Sequence, residues 1–442
     1  MRMFSRTAAA LAAATVAAAV ASPAAAQAQD RVPHLQGQRV GYFTQWGIYS
    51  GFSARKVQDS GQAGRLTVLN YAFGNVSADG TCFEANAAGV GDAWADYQRP
   101  VGAEESVDGR ADTAEQPLKG NFNQLRKLKA ANPQLKAVVS LGGWSWSKYF
   151  SDAALTDASR KKFVASCLDL YLKGNLPQLG SAEGGAGAGA GVFDGIDIDW
   201  EYPGGGGDPG NVVRPEDGHN YTLLMQEFRR QLDALGAKSR THYLLTAAVP
   251  ANEARADQLE VRQVARSVDW LNLMTYDLHG TWEAQGPTDH NANLYSDRAD
   301  PATDNRGYSA DRVVRHYLEK GLPARQAVLG VPFYGYGWTG VPAGPKAGLY
   351  QSATGPARGG NLPYNQIKDL PGTVHYDRLH GATWKYDGTE FWSYDTPELL
   401  ARKAQYARWN GLGGVMMWAL DNDDAQGALV RALDRGLGGS GR

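Results

Sequence analysis

Three carboxylates occupy alternate positions in Phe193-Asp194-Gly195-Ile196-Asp197-Ile198-Asp199-Trp200-Glu201-Tyr202-Pro203. The interleaved isoleucines and tryptophan favour an extended strand, in which successive side chains point to opposite faces. Asp197, Asp199 and Glu201 then share one face and step towards the strand's C-terminal end, while Ile196, Ile198 and Trp200 take the other. Asp194 breaks the parity and reads as a structural residue near the strand start. Buried carboxylates need partners. In one reading Asp197 and Asp199 share a proton and keep Glu201 protonated near neutral pH, as a general acid requires. In a second the trio binds Mg²⁺ or Ca²⁺, although no Gly-rich phosphate cradle or convergent Lys/Arg accompanies it. In a third the charges lie on a solvated edge, against which the flanking apolar residues argue.

The elements that would position these residues alternate along the chain. Strands are expected at Arg39–Thr44, Leu66–Phe73, Ala137–Gly142, Val192–Trp200, Tyr243–Val249, Trp270–Tyr276, Ala327–Phe333 and Gly414–Leu420. Helix-period segments fall at Phe122–Ala131, Ser159–Leu172, Gly218–Leu235, Ala256–Ser267, Ala310–Lys320, Pro397–Trp409 and Asp424–Leu437. Parallel strands need helical crossovers, so this alternation predicts an α/β fold, a (β/α)8 TIM barrel over residues 36–442. An open doubly wound sheet is the alternative, and no glycine fingerprint supports it. Two connections are too long to be simple loops: Gly74–Gly120, and the stretch after the seventh strand. Residues 335–392 hold Tyr350, Tyr364, Tyr376, Trp384 and Tyr386 and are expected to form a small α+β insertion. The Gly/Ala tract Gly184–Gly191 reads as a surface loop.

Composition narrows the partners. Lys and Arg total 44 against 46 Asp and Glu, a formal net charge of -2. That balance favours neither nucleic acid nor an anionic membrane and suits a neutral substrate. Twelve Trp and 21 Tyr supply flat amphipathic faces of the kind sugars stack on, and large cores use them too. Arg2 and Arg6, an apolar run from Ala8 to about Ala21, and small residues at Ala24–Ala26 or Ala26–Ala28 predict a signal peptide over residues 1–28 and a secreted protein. No stretch is apolar for long enough to span a membrane. The two cysteines permit one disulfide, yet the helical setting of Cys167 favours plain burial, and pairing with Cys82 stays open.

The segment Asp194 to Glu201 matches D-x-x-D-x-D-x-E, and the chain here resembles glycoside hydrolase family 18 chitinases. Other segments fall in the family's order: Val40-Gly41-Tyr42-Phe43, Asn70-Tyr71-Ala72-Phe73, Ser140-Leu141-Gly142-Gly143-Trp144, Met274-Thr275-Tyr276-Asp277 and Trp418. The resemblance spans about residues 38–437. The insertion looks like that of the deeper-grooved bacterial chitinases, which favours processive or exo-type action.

The resemblance implies a retaining, substrate-assisted mechanism on chitin or chitooligosaccharides. Glu201 would be the acid and then the base. Asp199 would hold the substrate's acetamido N–H, Tyr276 would hold its oxygen, and Asp197 would share a proton with Asp199 while bonded by Tyr42 and Ser140. Tyr42, Phe73, Trp144, Tyr202, Met274, Asp277 and Trp418 would contact substrate, with Trp418 as the floor of the sugar pocket. Trp282 and the insertion's aromatics are weaker groove candidates. No cofactor, metal, nucleic acid or membrane partner is implied, and a monomer is expected. His279 and His290 lack metal-ligand spacing in the sequence and take structural roles. Tyr336 stands where many relatives carry Arg, which puts a sugar-contacting Arg there in doubt. Two competing functions are a chitin-binding lectin on the same fold, against which the presence of Glu201 argues, and an endo-acting N-glycan hydrolase.

Overall fold

A computed structural model describes residues 37–180, 182–302 and 306–439. The expected signal peptide lies outside them. Eight parallel strands form the centre: β1 Gln38–Thr44, β2 Val68–Val76, β3 Lys136–Gly142, β4 Gly195–Asp199, β5 Leu244–Pro250, β6 Trp270–Met274, β7 Ala327–Pro332 and β8 Gly414–Trp418. Each pairs with its neighbour in sequence, and β1 also pairs with β8. That last ladder closes the ring and rules out the open sheet. The fold is a (β/α)8 barrel.

Crossover helices surround the ring: α1 Ala54–Asp59, α2 Gly120–Ala131, α3 Asp157–Cys167, α4 Asp217–Ser239, α5 Val261–Val264, α6 Ala310–Glu319, α7 Pro397–Trp409 and α8 Ala428–Gly436. Their apolar faces meet the outward side chains of the strands, among them Ile196, Ile198, Leu245, Leu271, Leu329 and Val415, in one continuous core. A second cluster fills the barrel itself with Val40, Tyr42, Val138, Trp270, Tyr276, Val328 and Met416. Strand alternation thus sorts aliphatic side chains outward and a mixed, polar-tipped set inward.

Three expectations change. The single helix at Ala256–Ser267 is two short pieces, Glu253–Ala256 and α5. The chain turns between them where α4 comes close: a Cβ on Gly218 would lie 1.9 Å from the Gln258 carbonyl oxygen. The sixth strand ends at Met274 rather than Tyr276, because Thr275 and Tyr276 turn their N–H groups back to the carbonyls of Leu273 and Met274, both at 2.8 Å. Cys167 is not a free core thiol. It forms a disulfide with Cys82, Cα to Cα 4.9 Å, across a separation of 85 residues.

The stretch from β7 to α7 builds a five-stranded antiparallel sheet from Tyr334–Thr339, Gly355–Pro363, Thr373–Asp377, Ala382–Tyr386 and Phe391–Ser393, with one short helix, Tyr364–Ile367. Trp338, Leu349, Trp384, Tyr386 and Phe391 form its own core. The Cys82–Cys167 bond ties the long loop after β2 to α3. In the chain-entropy model a crosslink of this span stabilises by about 4–5 kcal/mol. Reduction, or Cys82→Ser with Cys167→Ser, is therefore expected to lower the melting temperature by several degrees; a melt indifferent to reductant would count against the bond.

Candidate active site

The acidic strand β4 delivers its carboxylates to the barrel interior, as the alternation required. Strand register then chooses their neighbours: Ser140 on β3 and Thr246 on β5 both lie level with Asp197. Asp197 Oδ2 accepts from the Tyr42 hydroxyl at 2.7 Å and the Ser140 hydroxyl at 2.8 Å. Its Oδ1 accepts from Thr246 at 2.5 Å and from the Asn272 amide at 3.3 Å. Burial pushes the Asp197 carboxyl up, and these four donors pull it back towards the anion. Tyr42 and Ser140 were legible as partners. Thr246 and Asn272 were not, since only register places them beside Asp197.

Asp199, one step up, is 4% exposed, and its Oδ1 has no hydrogen-bond partner among the described residues. Burial raises its carboxyl well above the ordinary aspartate value, and Glu201 and then Asp197 add like-charge repulsion. No hydrogen bond joins it to Asp197 in this structure. Glu201 stands at the mouth of the barrel. Its carboxyl is pushed up to about 7 by burial above all and by the Asp277 charge, against the opposing hydrogen bond of Tyr202 and the Arg255 charge. The backbone at Glu201 is pinned: its N–H donates to Ser147 Oγ at 2.8 Å, and its carbonyl accepts from the Asn211 amide at 2.8 Å.

Around them opens a cleft of about 960 Å³ whose lining includes Asp199, Glu201, Tyr202, Met274, Tyr276 and Asp277. Trp418 lies across its floor, 5.2 Å from the Tyr42 ring and stacked on Phe73 at 5.6 Å. Trp144 and Trp282 stand on the rim, 49% and 56% exposed, with Trp46 beside them at 46%. Tyr42, Phe73, Trp144, Trp282 and Trp418 thus line the same cleft as the residues expected to do chemistry, with Asp197 beneath it.

Asp277 sits at φ +55° with its N–H bonded to Asn291 Oδ1 at 2.8 Å. Its Oδ1 accepts from the hydroxyls of Tyr334 at 2.5 Å and Tyr336 at 2.9 Å. Tyr336 thus holds the carboxylate with a neutral donor. Arg255, which the sequence did not single out, lines the cleft with its guanidinium 4.7 Å from the Tyr202 ring. The insertion's aromatics correct an expectation. Trp384 and Tyr386 are buried in the insertion's own core, Tyr364 is buried in the core shared with the barrel, and neither Tyr350 nor Tyr376 reaches the cleft. A small sheet must bury one face, and its large rings are spent there; Tyr334 and Tyr336 are the insertion side chains that line the cleft.

The family described as Glycosyl hydrolases family 18 matches residues 38–423. This chain belongs to it. The catalytic domain of the psychrophilic chitinase B from Arthrobacter TAD20 superposes on this family-18 chain with a TM-score of 0.87 at 45% identity, covering 92% of this chain and 97% of that one. Chitinase 63 of Streptomyces plicatus is 37% identical over 90% of this chain and 60% of its own length. Chitinase A1 of Niallia circulans is 35% identical over 91% of this chain and 58% of its own. The chain thus spans about three fifths of the length of these two relatives. No helix among the described residues is long and apolar enough to cross a membrane.

A raised carboxyl has a stability consequence. The unfolded chain loses the Glu201 proton at the ordinary glutamate value, whereas the folded chain keeps it up to about 7. Wild-type stability from this group is complete below the unfolded value, declines as pH rises through that window and stays reduced above it. Glu201→Gln removes the penalty. Its gain in melting temperature should be larger at pH 8 than at pH 5; equal gains at both would contradict the raised carboxyl.

Proposed function

We propose that this chain is a secreted chitinase that cleaves β-1,4 bonds between N-acetylglucosamine units of chitin and chitooligosaccharides, with retention. The observation that carries the reading is the division of labour along β4. Asp197 is held by four donors, which leaves the buried Asp199 and the half-buried Glu201 as two carboxyls competing for protons at the cleft. Family membership and relatives named as chitinases support the substrate class. The N-terminal basic, apolar and small-residue pattern supports export.

The chemistry runs on the substrate's own acetamido group. A sugar seated on Trp418 presents its glycosidic oxygen to Glu201, which donates its proton as the bond to the leaving sugar breaks. The acetamido oxygen attacks the anomeric carbon from the other face and forms an oxazolinium ion. Asp199, with an unpartnered oxygen, accepts the acetamido N–H and stabilises the positive charge. Tyr276 lies opposite, its hydroxyl donating to the Met416 sulfur at 3.8 Å, a weak bond that it exchanges for one to the acetamido oxygen. Glu201, now a carboxylate, takes a proton from water as that water opens the ring. Arg255 nearby favours the anionic form at this stage.

Glu201→Gln is expected to lower kcat on N-acetylglucosamine oligomers about a thousandfold or more while binding persists. Unchanged hydrolysis would sink the assignment, and retention on chitin without soluble sugar from the native protein would point to a lectin. Because the free enzyme must start with Glu201 protonated, kcat/KM should fall as pH rises through about 7. A profile still flat beyond pH 9 would exclude this acid.

A further inference from the structure

A second cluster of ionisable side chains lies in the loop between β6 and α6, apart from the carboxylates of the cleft. His279, Asp289 and Asp300 are 1%, 3% and 4% exposed. One ligand-capable atom from each lies within 4.8 Å of the others. These residues are separated by ten and eleven positions in the chain, so sequence spacing did not reveal them.

The chemistry of the three groups is specific. His279 Nδ1 faces the Glu283 carboxylate at 3.2 Å and 3.3 Å, and because a carboxylate only accepts, the neutral ring that makes this bond carries its N–H on Nδ1. That tautomer leaves the Nε2 lone pair facing Asp289 Oδ2 at 3.8 Å, beyond hydrogen-bond reach. Asp289 Oδ1 accepts the His290 N–H at 2.6 Å, while Oδ2 is buried with no partner among the described residues. Asp300 is oriented by two backbone donors, Ala302 N–H on Oδ1 and Gly307 N–H on Oδ2, both at 2.7 Å. An imidazole nitrogen and two buried carboxyls thus converge, and without a cation only protons offset them: burial pushes the Asp289 carboxyl up to about 8, where in its protonated form it hydrogen-bonds with Asp300, and against the effect of burial Glu283 raises His279.

We propose that His279 Nε2, Asp289 Oδ2 and an Asp300 carboxylate oxygen bind one zinc-class divalent cation. Two ligands of a tetrahedral zinc lie roughly 3.3–3.6 Å apart, close to the 3.8 Å observed. An imidazole nitrogen with carboxylates selects zinc over Ca²⁺ and Mg²⁺, which take oxygen ligands. Glu283 on Nδ1 is the carboxylate that orients a metal-bound histidine, and the backbone donors to Asp300 hold the other side. A water completes the fourth position.

The cation's work here is mechanical. This loop starts at Asp277 and carries Trp282 to the cleft rim. It is also bonded to the insertion, through Thr288 N–H to the Gln351 carbonyl at 2.8 Å and Leu294 N–H to the Gly381 carbonyl at 3.0 Å. A metal joining His279, Asp289 and Asp300 crosslinks both ends of that stretch without touching substrate. The proposal is independent of the chitinase reading, because its readout is metal and melting temperature rather than turnover.

The test uses the full chain, stripped with chelator, reloaded with Zn²⁺ and desalted. Elemental analysis should find one zinc per chain, and the melting temperature should rise with Zn²⁺ but not with Ca²⁺ or Mg²⁺. Asp289→Asn keeps the shape and can donate to Asp300; it should lose both the zinc and the Zn²⁺-dependent rise, with hydrolysis at saturating substrate retained. Zinc held equally by Asp289→Asn, or a wild-type chain with neither stoichiometric zinc nor a melting response, overturns the site and leaves a proton shared by Asp289 and Asp300. Should the variant not fold, Co²⁺ titration of the wild-type chain decides: visible bands of tetrahedral cobalt saturating at one equivalent support the site, and their absence overturns it.

Discussion

The buried Asp197 carboxylate is the constraint on which the active centre depends. It has no solvent, and the four groups that satisfy it come from four strands: Tyr42 on β1, Ser140 on β3, Thr246 on β5 and Asn272 on β6. Hydrogen bonds to a charged acceptor contribute about 1.5–3 kcal/mol each, and losing them leaves an uncompensated charge. These bonds form only when the ring is closed and in register. Barrel closure and the electrostatics of the site are therefore one event.

That arrangement sets the order of the carboxyls above it. Asp197 is supplied with donors, Asp199 has little but repulsion and burial, and Glu201 stands at the cleft with opposing influences from Asp277 and Arg255. Three chemically similar groups on one strand and just beyond its end thus acquire different proton affinities from their surroundings, which is how one site can hold an acid and an anion together. Tyr336 fits the same pattern. A neutral hydroxyl on Asp277 leaves that charge unneutralised beside Glu201, in the direction that keeps the acid protonated.

The cleft walls follow a different logic. The loop after β2 is tied by a disulfide, and the insertion carries its own aromatic core. Both long excursions thus have fastenings of their own besides the side chains they share with the barrel's core, Tyr97 and Leu118 from the loop and Tyr364 and Trp392 from the insertion, and the insertion adds the rings of Tyr334 and Tyr336 to the cleft wall. The large rings of the insertion were the most conspicuous aromatics in the sequence, and most of them serve that internal packing.

The sequence by itself determined the alternation of strands and helices, the face shared by Asp197, Asp199 and Glu201, and the segments bearing Tyr42, Ser140, Tyr276 and Trp418. These are local properties: a period of two, a period near 3.6, and short motifs. Tertiary structure decided what depends on residues far apart in the chain. Register put Thr246 and Asn272 on Asp197, and a close approach of α4 broke the helix expected at Ala256–Ser267. The helical pattern around Cys167 is satisfied equally by a buried thiol and by a half-cystine, and only the position of the loop carrying Cys82 distinguishes them. His279, Asp289 and Asp300 follow no sequence spacing because a folded loop, not a helix or strand period, brings them together. The carboxylates could be named from their spacing; their proton affinities could not, because those are set by groups that meet only when the barrel closes.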